Sequence, residues 1–224
     1  MQTTSPVSRS IQVAGSIEMP KNISSEGGHQ LNPRSFDFTL LTRDLSGVSV
    51  YGNILNIEYT IFETGYGWMA MEKTRRGLSR TSLPTDSFEK CAELAVSWSD
   101  YSVRNDNSFT HLKWKVLQYF CGNAVDFNEV VIDLDLTPPF FKKALEECRK
   151  VPYGETRTYA WLADKSGNVK ASRAAGQAMA RNKTPIIIPC HRVIGSNGHL
   201  TGFGSEAVQL ELKSKLLRME KNFV

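Results

Sequence analysis

The stretch Pro185-Ile186-Ile187-Ile188-Pro189-Cys190-His191-Arg192-Val193-Ile194 constrains this chain more than any other. A short run of β-branched residues reads as a buried strand. Pro189 cannot donate to a sheet ladder, so the strand is expected to end or bend there. Cys190 then stands at the tip of a rigid core element, where a reactive group can be held in place. A free thiol has a pKa of about 8.5 and reacts as the thiolate, so it needs a nearby cation, base or helix N-terminus. His191 and Arg192 follow directly, but adjacent residues of an extended chain point to opposite sides. A Cys-His contact therefore requires a bend or a bridging water.

The other cysteines, Cys91, Cys121 and Cys148, are widely spaced and give no metal-ligand pattern. Cys91 and Cys121 fall on or beside helices and read as buried, inert thiols. Free thiols suit a reducing compartment. No secretory signal opens the chain, and no run approaches the roughly 18 apolar residues of a membrane span. The expectation is an intracellular protein, nuclear if eukaryotic and otherwise cytoplasmic, without a membrane partner. Net charge is +4, from 27 Lys+Arg against 23 Asp+Glu, which is compatible with nucleic acid without demanding it.

Residues 1–45 are rich in Ser, Thr, Gly and Asn and read as a flexible leader, with a short edge strand possible at 36–42. Leu55, Ile57, Tyr59 and Ile61 alternate with polar neighbours and predict a strand with one buried face. Gly65-Tyr66-Gly67 is a turn, and 68–73 returns as the hairpin partner. Thr85 or Asp86 caps a helix burying Phe88, Cys91, Leu94, Ala95 and Trp98. A second helix buries Leu112, Val116, Leu117 and Phe120 and ends at Gly122. Residues 127–136 form a strand or extended connector.

Thr137-Pro138-Pro139 marks a domain boundary and opens a helix with inner residues Phe140, Phe141, Ala144, Leu145 and Cys148. Two short helices follow, 158–164 and 169–181. The second carries Ala171, Ala174, Ala175 and Ala178 on one stripe. Joined by Ser166-Gly167-Asn168, they have the pattern of a helix-turn-helix. Ser196-Asn197-Gly198 is a tight turn, and a last helix runs from about 206 to 221.

Pro189-Cys190-His191-Arg192-Val193 resembles the active-site motif of the O6-alkylguanine-DNA alkyltransferases, the methylated-DNA–protein-cysteine methyltransferases. Pro152-Tyr153-Gly154-Glu155-Thr156, Thr158-Tyr159-Ala160-Trp161-Leu162-Ala163 and Ser172-Arg173-Ala174-Ala175-Gly176 follow the same family's order and spacing. Arg181-Asn182 and the 213–220 segment also fit. The likeness is close from about 127 to 220 and only general before that.

The resemblance implies an α+β protein with an RNase H-like N-terminal domain (46–137, with its connector). A winged-helix-like, helix-turn-helix C-terminal domain (138–224) would hold the active site. It implies repair of O6-alkylguanine, and of O4-alkylthymine, in double-stranded DNA by direct transfer of the alkyl group to Cys190. The thioether is not hydrolysed, so each molecule acts once. His191 would take the thiol proton through water, with Glu220 orienting it. Tyr159 would donate to the departing guanine, and Asn182 would brace the cysteine turn. Met179, Pro185, Val193, Phe203 and Gly204 would wall the base pocket.

A thiol inside a protein cannot reach O6 in a stacked duplex, so the base must flip out. The second short helix would enter the minor groove, with Arg173 filling the gap. Ala171, Ala174 and Gly176 would permit close approach, and Thr158 and Gln177 complete the expected DNA contacts. The expected protein is a monomer without cofactor or zinc, since its N-terminal half scatters Cys91, Cys121, His29 and His111.

Three rivals make different demands. A damage-binding relative lacks the cysteine. A transcription regulator needs base-reading side chains, where this helix has Ala171, Ala174, Ala175 and Gly176. A Cys-His hydrolase turns over repeatedly. Departures from the family pattern are Phe203 in place of a common tyrosine, Gln177 in place of a small residue, and about three extra residues between Gly204 and Leu210.

Overall fold

The structure is a computed structural model that describes residues 57–100, 102–200 and 207–222. The leader, the 36–42 strand and Leu55 lie outside the described residues, as do Phe203 and Gly204.

The chain is α+β. A four-stranded mixed sheet has the order β3-β2-β1-β4. Strands β1 (Glu58–Thr64) and β2 (Gly67–Thr74) form the expected hairpin, closing with Thr64 opposite Gly67. Strand β3 (Gly77–Thr81) continues the antiparallel ladder, and β4 (Val103–Arg104) pairs parallel with β1. One buried face was expected, yet helices cover both. Phe62, Met69, Met71 and Leu78 enter the main core, whereas Ile61 and Ala70 pack on Cys91 and Ala95 of α1 (Phe88–Trp98). Thr60, read as an outward residue, is buried and donates its hydroxyl to the Asp106 carboxylate. A polar residue can occupy the covered face because this hydrogen bond satisfies it.

The α1 cap is Ser87, whose side chain accepts from the Lys90 amide, and not Thr85 or Asp86. Thr85 is held instead by paired backbone bonds to Trp68, each 2.8 Å, and Asp86 pairs with Lys90. Helix α2 (Thr110–Phe120) buries Val116, Tyr119 and Phe120. Leu117, expected inside, is partly exposed, and the Cys121 thiol is exposed where a buried one was expected. Cys121 lies just past the helix end, off the inward stripe.

Residues 127–136 form the extended connector, touching the sheet through a bridge from Ile132 to Leu78. Helix α3 (Pro139–Arg149) starts on proline as expected and buries Ala144, Leu145, Glu147 and Cys148. Helix α4 (Tyr159–Lys165) is capped by Thr158, whose hydroxyl accepts from the Trp161 amide. Helix α5 (Ser172–Ala180) begins later than its alanine stripe suggested and buries Ala175, Ala178 and Met179. Between them Gly167 takes φ +93°, the left-handed turn that glycine permits. A short parallel ladder of β5 (Arg157–Thr158) and β6 (Val193–Ile194) ties the start of α4 to the chain after the cysteine. Helix α6 (Ala207–Asn222) closes the core through Leu216 and Met219.

The 186–188 run is not a strand. Its three isoleucines are buried, but the backbone folds back so that Pro185 bridges Ile188, and Ile186 adopts φ +74°. A β-branched residue there costs on the order of 1–3 kcal/mol. The bend is held from outside. Thr81 donates its amide to the Lys183 carbonyl and its hydroxyl to the Pro185 carbonyl, both at 2.8 Å, so the edge of the sheet grips this loop. Apolar burial was legible in the run, but its backbone path is set by hydrogen bonds from a strand about a hundred residues earlier.

At Gly67 (φ +120°) an added Cβ would collide with the Thr85 carbonyl oxygen. Gly67→Ala is expected to cost about 2–3 kcal/mol and to lower the melting temperature by roughly 5–10 °C, measured by thermal unfolding.

Candidate active site

Cys190 opens a single 3-10 turn, Cys190–Arg192, instead of ending a strand. That turn supplies the bend a Cys-His arrangement requires, and it places all three side chains in the interior. The thiol is only 3% exposed. Asn182 spans the loop beneath it. Its Nδ2 donates to the Ile188 carbonyl at 3.0 Å and to Cys190 Sγ at 3.1 Å, while its Oδ1 accepts from the Thr184 amide at 3.0 Å. Burial pushes the Cys190 thiol above its ordinary range. The Asn182 hydrogen bond and the Lys213 charge offset part of this. The resting form is therefore the thiol, and reaction requires that its proton be taken.

His191 follows Cys190 in the same turn. Its Nε2 lies 2.7 Å from Glu220 Oε1. Burial holds the imidazole below its usual pKa although Glu220 opposes this, so the ring is neutral and basic at neutral pH. Burial also pushes the Glu220 carboxyl up, but the His191 hydrogen bond and the Arg192 guanidinium outweigh it and hold the acid at about 2. Arg192, which from sequence could have faced the thiol, donates to Glu220 from Nε (2.9 Å to Oε2) and from an NH2 group (3.0 Å to Oε1). It also donates to the Val151 carbonyl at 2.7 Å. The Gly154 amide adds a further bond to Glu220 at 3.2 Å.

Two residues that the sequence reading left unassigned complete the site. Tyr119 is fully buried on α2, donates its hydroxyl to Glu220 Oε1 at 2.8 Å and lies 3.1 Å from His191 Nε2. It is three positions beyond Val116, on the same inward stripe, and that periodicity was the available signal. Lys213 is fully buried on α6 and donates to the Val193 carbonyl at 2.7 Å, with Nζ 5.8 Å from the Tyr159 ring centroid. Burial lowers it to about 8. Lys213, Leu216 and Glu220 share one helical face at i, i+3 and i+7, so two charges on a core-facing stripe were the clue.

Cys190, His191, Glu220 and Asn182 thus come together. Met179, Pro185 and Val193 are buried, with Met179 and Val193 in the cysteine's core cluster. Tyr159 is half-buried at the start of α4. Arg173 and Gln177 stand exposed one turn apart on α5, while Ala171, Ala174 and Gly176 are half-buried. A Cβ at Gly176 would meet only the Tyr159 ring, at 3.8 Å, so internal packing does not demand glycine there. Thr158 is committed to its cap. No group of three or more His, Cys, Asp or Glu able to hold a metal occurs among the described residues.

The site thus joins a buried thiol bonded to Asn182 with an imidazole–carboxylate pair in the next residue of the same turn, on an α+β scaffold with a small-residue helix. Residues 139–222 match the family model described as the 6-O-methylguanine DNA methyltransferase, DNA binding domain. The methylated-DNA–protein-cysteine methyltransferase of Methanosarcina acetivorans is 38% identical over 165 residues, covering 72% of this chain and 97% of the relative. The constitutive Bacillus subtilis enzyme of the same name is 32% identical over 167 residues, covering 73% and 94%. A crystal structure of Mycobacterium tuberculosis OGT in complex with DNA superposes with a TM-score of 0.62 at 28% identity, covering 75% of this chain and 94% of that one. The chain belongs to the methylated-DNA–protein-cysteine methyltransferase family.

The Glu220 carboxyl titrates lower in the fold than its ordinary 4.5, so the unfolded chain binds more protons across that interval. Its stabilisation, roughly 3 kcal/mol, is present above about pH 4.5 and is lost as pH falls toward 2. Neutral, buried His191 adds a loss in the same direction, beginning below its unfolded pKa. Denaturant midpoints followed against pH should fall through this range. In Glu220→Gln, which leaves Arg192 facing a neutral partner, the midpoint should already be low at pH 7 and vary less below pH 4.5.

Proposed function

We propose that this chain repairs DNA by moving the alkyl group of O6-alkylguanine, and of O4-alkylthymine, onto Cys190 in a single irreversible step. The observation that carries the reading is the buried Cys190 thiol, bonded to Asn182 and followed in the same turn by His191 on Glu220. His191 accepts the thiol proton through a bridging water. The thiolate attacks the alkyl carbon, the carbon–O6 bond breaks, and its electron pair leaves with the base. Tyr159 donates to that leaving base as charge develops. The product thioether has no hydrolytic route back, so one protein molecule is consumed per lesion.

The substrate is double-stranded DNA, bound by a monomer through a helix-turn-helix formed by α4 and α5. The base reaches the thiol only after flipping out of the stack. Met179, Pro185 and Val193 wall its pocket, joined by Phe203 and Gly204. The α5 helix enters the minor groove. Ala171, Ala174 and Gly176 allow close approach, Thr158 and Gln177 add contacts, and Arg173 occupies the space the base leaves. Gly176, which the protein's own packing does not require, and the exposure of Arg173 favour this orientation. In this reading residues 46–137 form an RNase H-like domain and residues 138–224 a winged-helix-like one. The sheet with α1 on one face supports the first, and the β5–β6 ladder beside the helix pair supports the second. The family match beginning at residue 139 supports the partition.

Incubation with duplex DNA carrying O6-methylguanine should add one methyl group to the protein, on Cys190, with at most one equivalent transferred. Cys190→Ala should gain none. Repeated turnover, or methyl on another residue, would overturn the reading in the intact-mass and peptide-mapping data.

Arg173→Ala should slow transfer from duplex DNA by about tenfold or more, because the flipped state loses its support. Transfer from the free O6-alkylguanine base should be unchanged. Equal slowing of both would place Arg173 in the chemistry and not in the DNA.

A further inference from the structure

We propose that Tyr119 is a positioning residue for the transfer: its phenol, donating to Glu220 beside His191, keeps that imidazole neutral with its proton on Nε2, making Nδ1 the atom that accepts the proton of Cys190. The kinetic part rests on the alkyl-transfer reading above, whereas the tautomer assignment rests on geometry alone.

A phenol has one proton to give. Tyr119 donates it to Glu220 Oε1 at 2.8 Å. His191 Nε2 lies 3.1 Å from the same phenolic oxygen and 2.7 Å from the same carboxylate oxygen. With its proton committed to the carboxylate, the phenolic oxygen can offer Nε2 only a lone pair. Nε2 therefore faces two acceptors. A lone pair on Nε2 would be repelled by both, while a proton there is attracted by both. The basic lone pair consequently resides on Nδ1. Tyr119 has no rotational escape from this role, because it is wholly buried and its ring packs edge-on against Phe120, Phe127 and Tyr153.

Tyr119 also moderates the carboxylate. The charged and titratable groups around His191 come from four places: Glu220 and Lys213 from α6, Cys190 and Arg192 from the cysteine turn, Tyr119 from α2, and Tyr153 behind Arg192 from the 152–155 turn. Removing the phenol takes one donor from Glu220. More of the carboxylate charge then acts on the imidazole, which becomes easier to protonate. A protonated ring cannot take the thiol proton, so the acid limb of the transfer rate moves to higher pH.

The test uses the full chain and Tyr119→Phe, each labelled with nitrogen-15 in histidine. The wild type should show the neutral Nε2–H tautomer for His191, and the Phe variant, in which Glu220 still faces Nε2, the same tautomer with a ring that protonates at higher pH. With duplex O6-methylguanine as probe, the variant should transfer about tenfold more slowly at neutral pH. Its acid limb should lie at higher pH, and DNA affinity should be unchanged. A wild-type His191 protonated on Nδ1 overturns the proposal, and this measurement needs no variant to fold. A folded Phe variant whose ring protonates, and whose transfer rate falls, at the wild-type pH also overturns it. If neither protein transfers methyl yet the shift in ring protonation is present, the assignment of Tyr119 to the ring stands and the alkyl-transfer reading alone fails.

Discussion

A carboxylate without exposure to water must be compensated by donors, and in this fold Glu220 draws them from Tyr119, Gly154, His191 and Arg192. Taking such an ion out of water costs several kcal/mol, and only dense hydrogen bonding recovers it. The compensation dictates geometry. Arg192 must turn inward, so the chain after Cys190 coils into a 3-10 turn instead of continuing extended. His191 then lies one residue from the thiol and on the same interior side. The loop 152–155 is drawn in through Gly154, and α2 is drawn in through Tyr119. Cys190 is thus placed by the ion pair of Arg192 and Glu220 that draws its turn inward.

The chemistry follows from the same arrangement. Burial alone would leave a protonated, unreactive thiol. The fold answers with groups of graded electrostatic character: Asn182 as a neutral donor to sulfur, Lys213 as a buried cation lowered to about 8, and His191 as a neutral base. Burial still leaves the resting sulfur as a thiol. A buried, protonated thiol of this kind is shielded from adventitious oxidation, which acts on exposed thiolates. The exposed helix α5 carries its surface features on the side away from the core, where Ala175 and Ala178 are buried and Arg173 and Gln177 are not.

Much of this was legible in the sequence, for physical reasons that differ by residue. The β1–β2 hairpin was visible because Gly65-Tyr66-Gly67 is flanked by alternating apolar residues. Helix α3 was visible because Pro139 suits a first turn. Cys190, His191, Asn182 and Glu220 could be named from the resemblance, and the structure brings those four together. What periodicity hid was long-range. The isoleucine run looked like a strand because buried apolar segments look alike locally, but Thr81 decides its path. Tyr119 drew no reading at all, since nothing near it in sequence announces a carboxylate 101 residues away. Ser87 displaced Thr85 and Asp86 as a cap because Thr85 was already paired to Trp68.

The span of that last network has a kinetic meaning. Tyr119 meets Glu220 across 101 residues and His191 across 72. Contacts so distant require the closure of long loops, whose entropic cost must be met before they reward the chain. The cysteine, by contrast, is present from the moment its residue is made. During folding the chain carries the Cys190 thiol before the His191–Glu220 pair is formed. That pair is thus assembled only as distant parts of the chain collapse together, and its formation reports on completion of the fold.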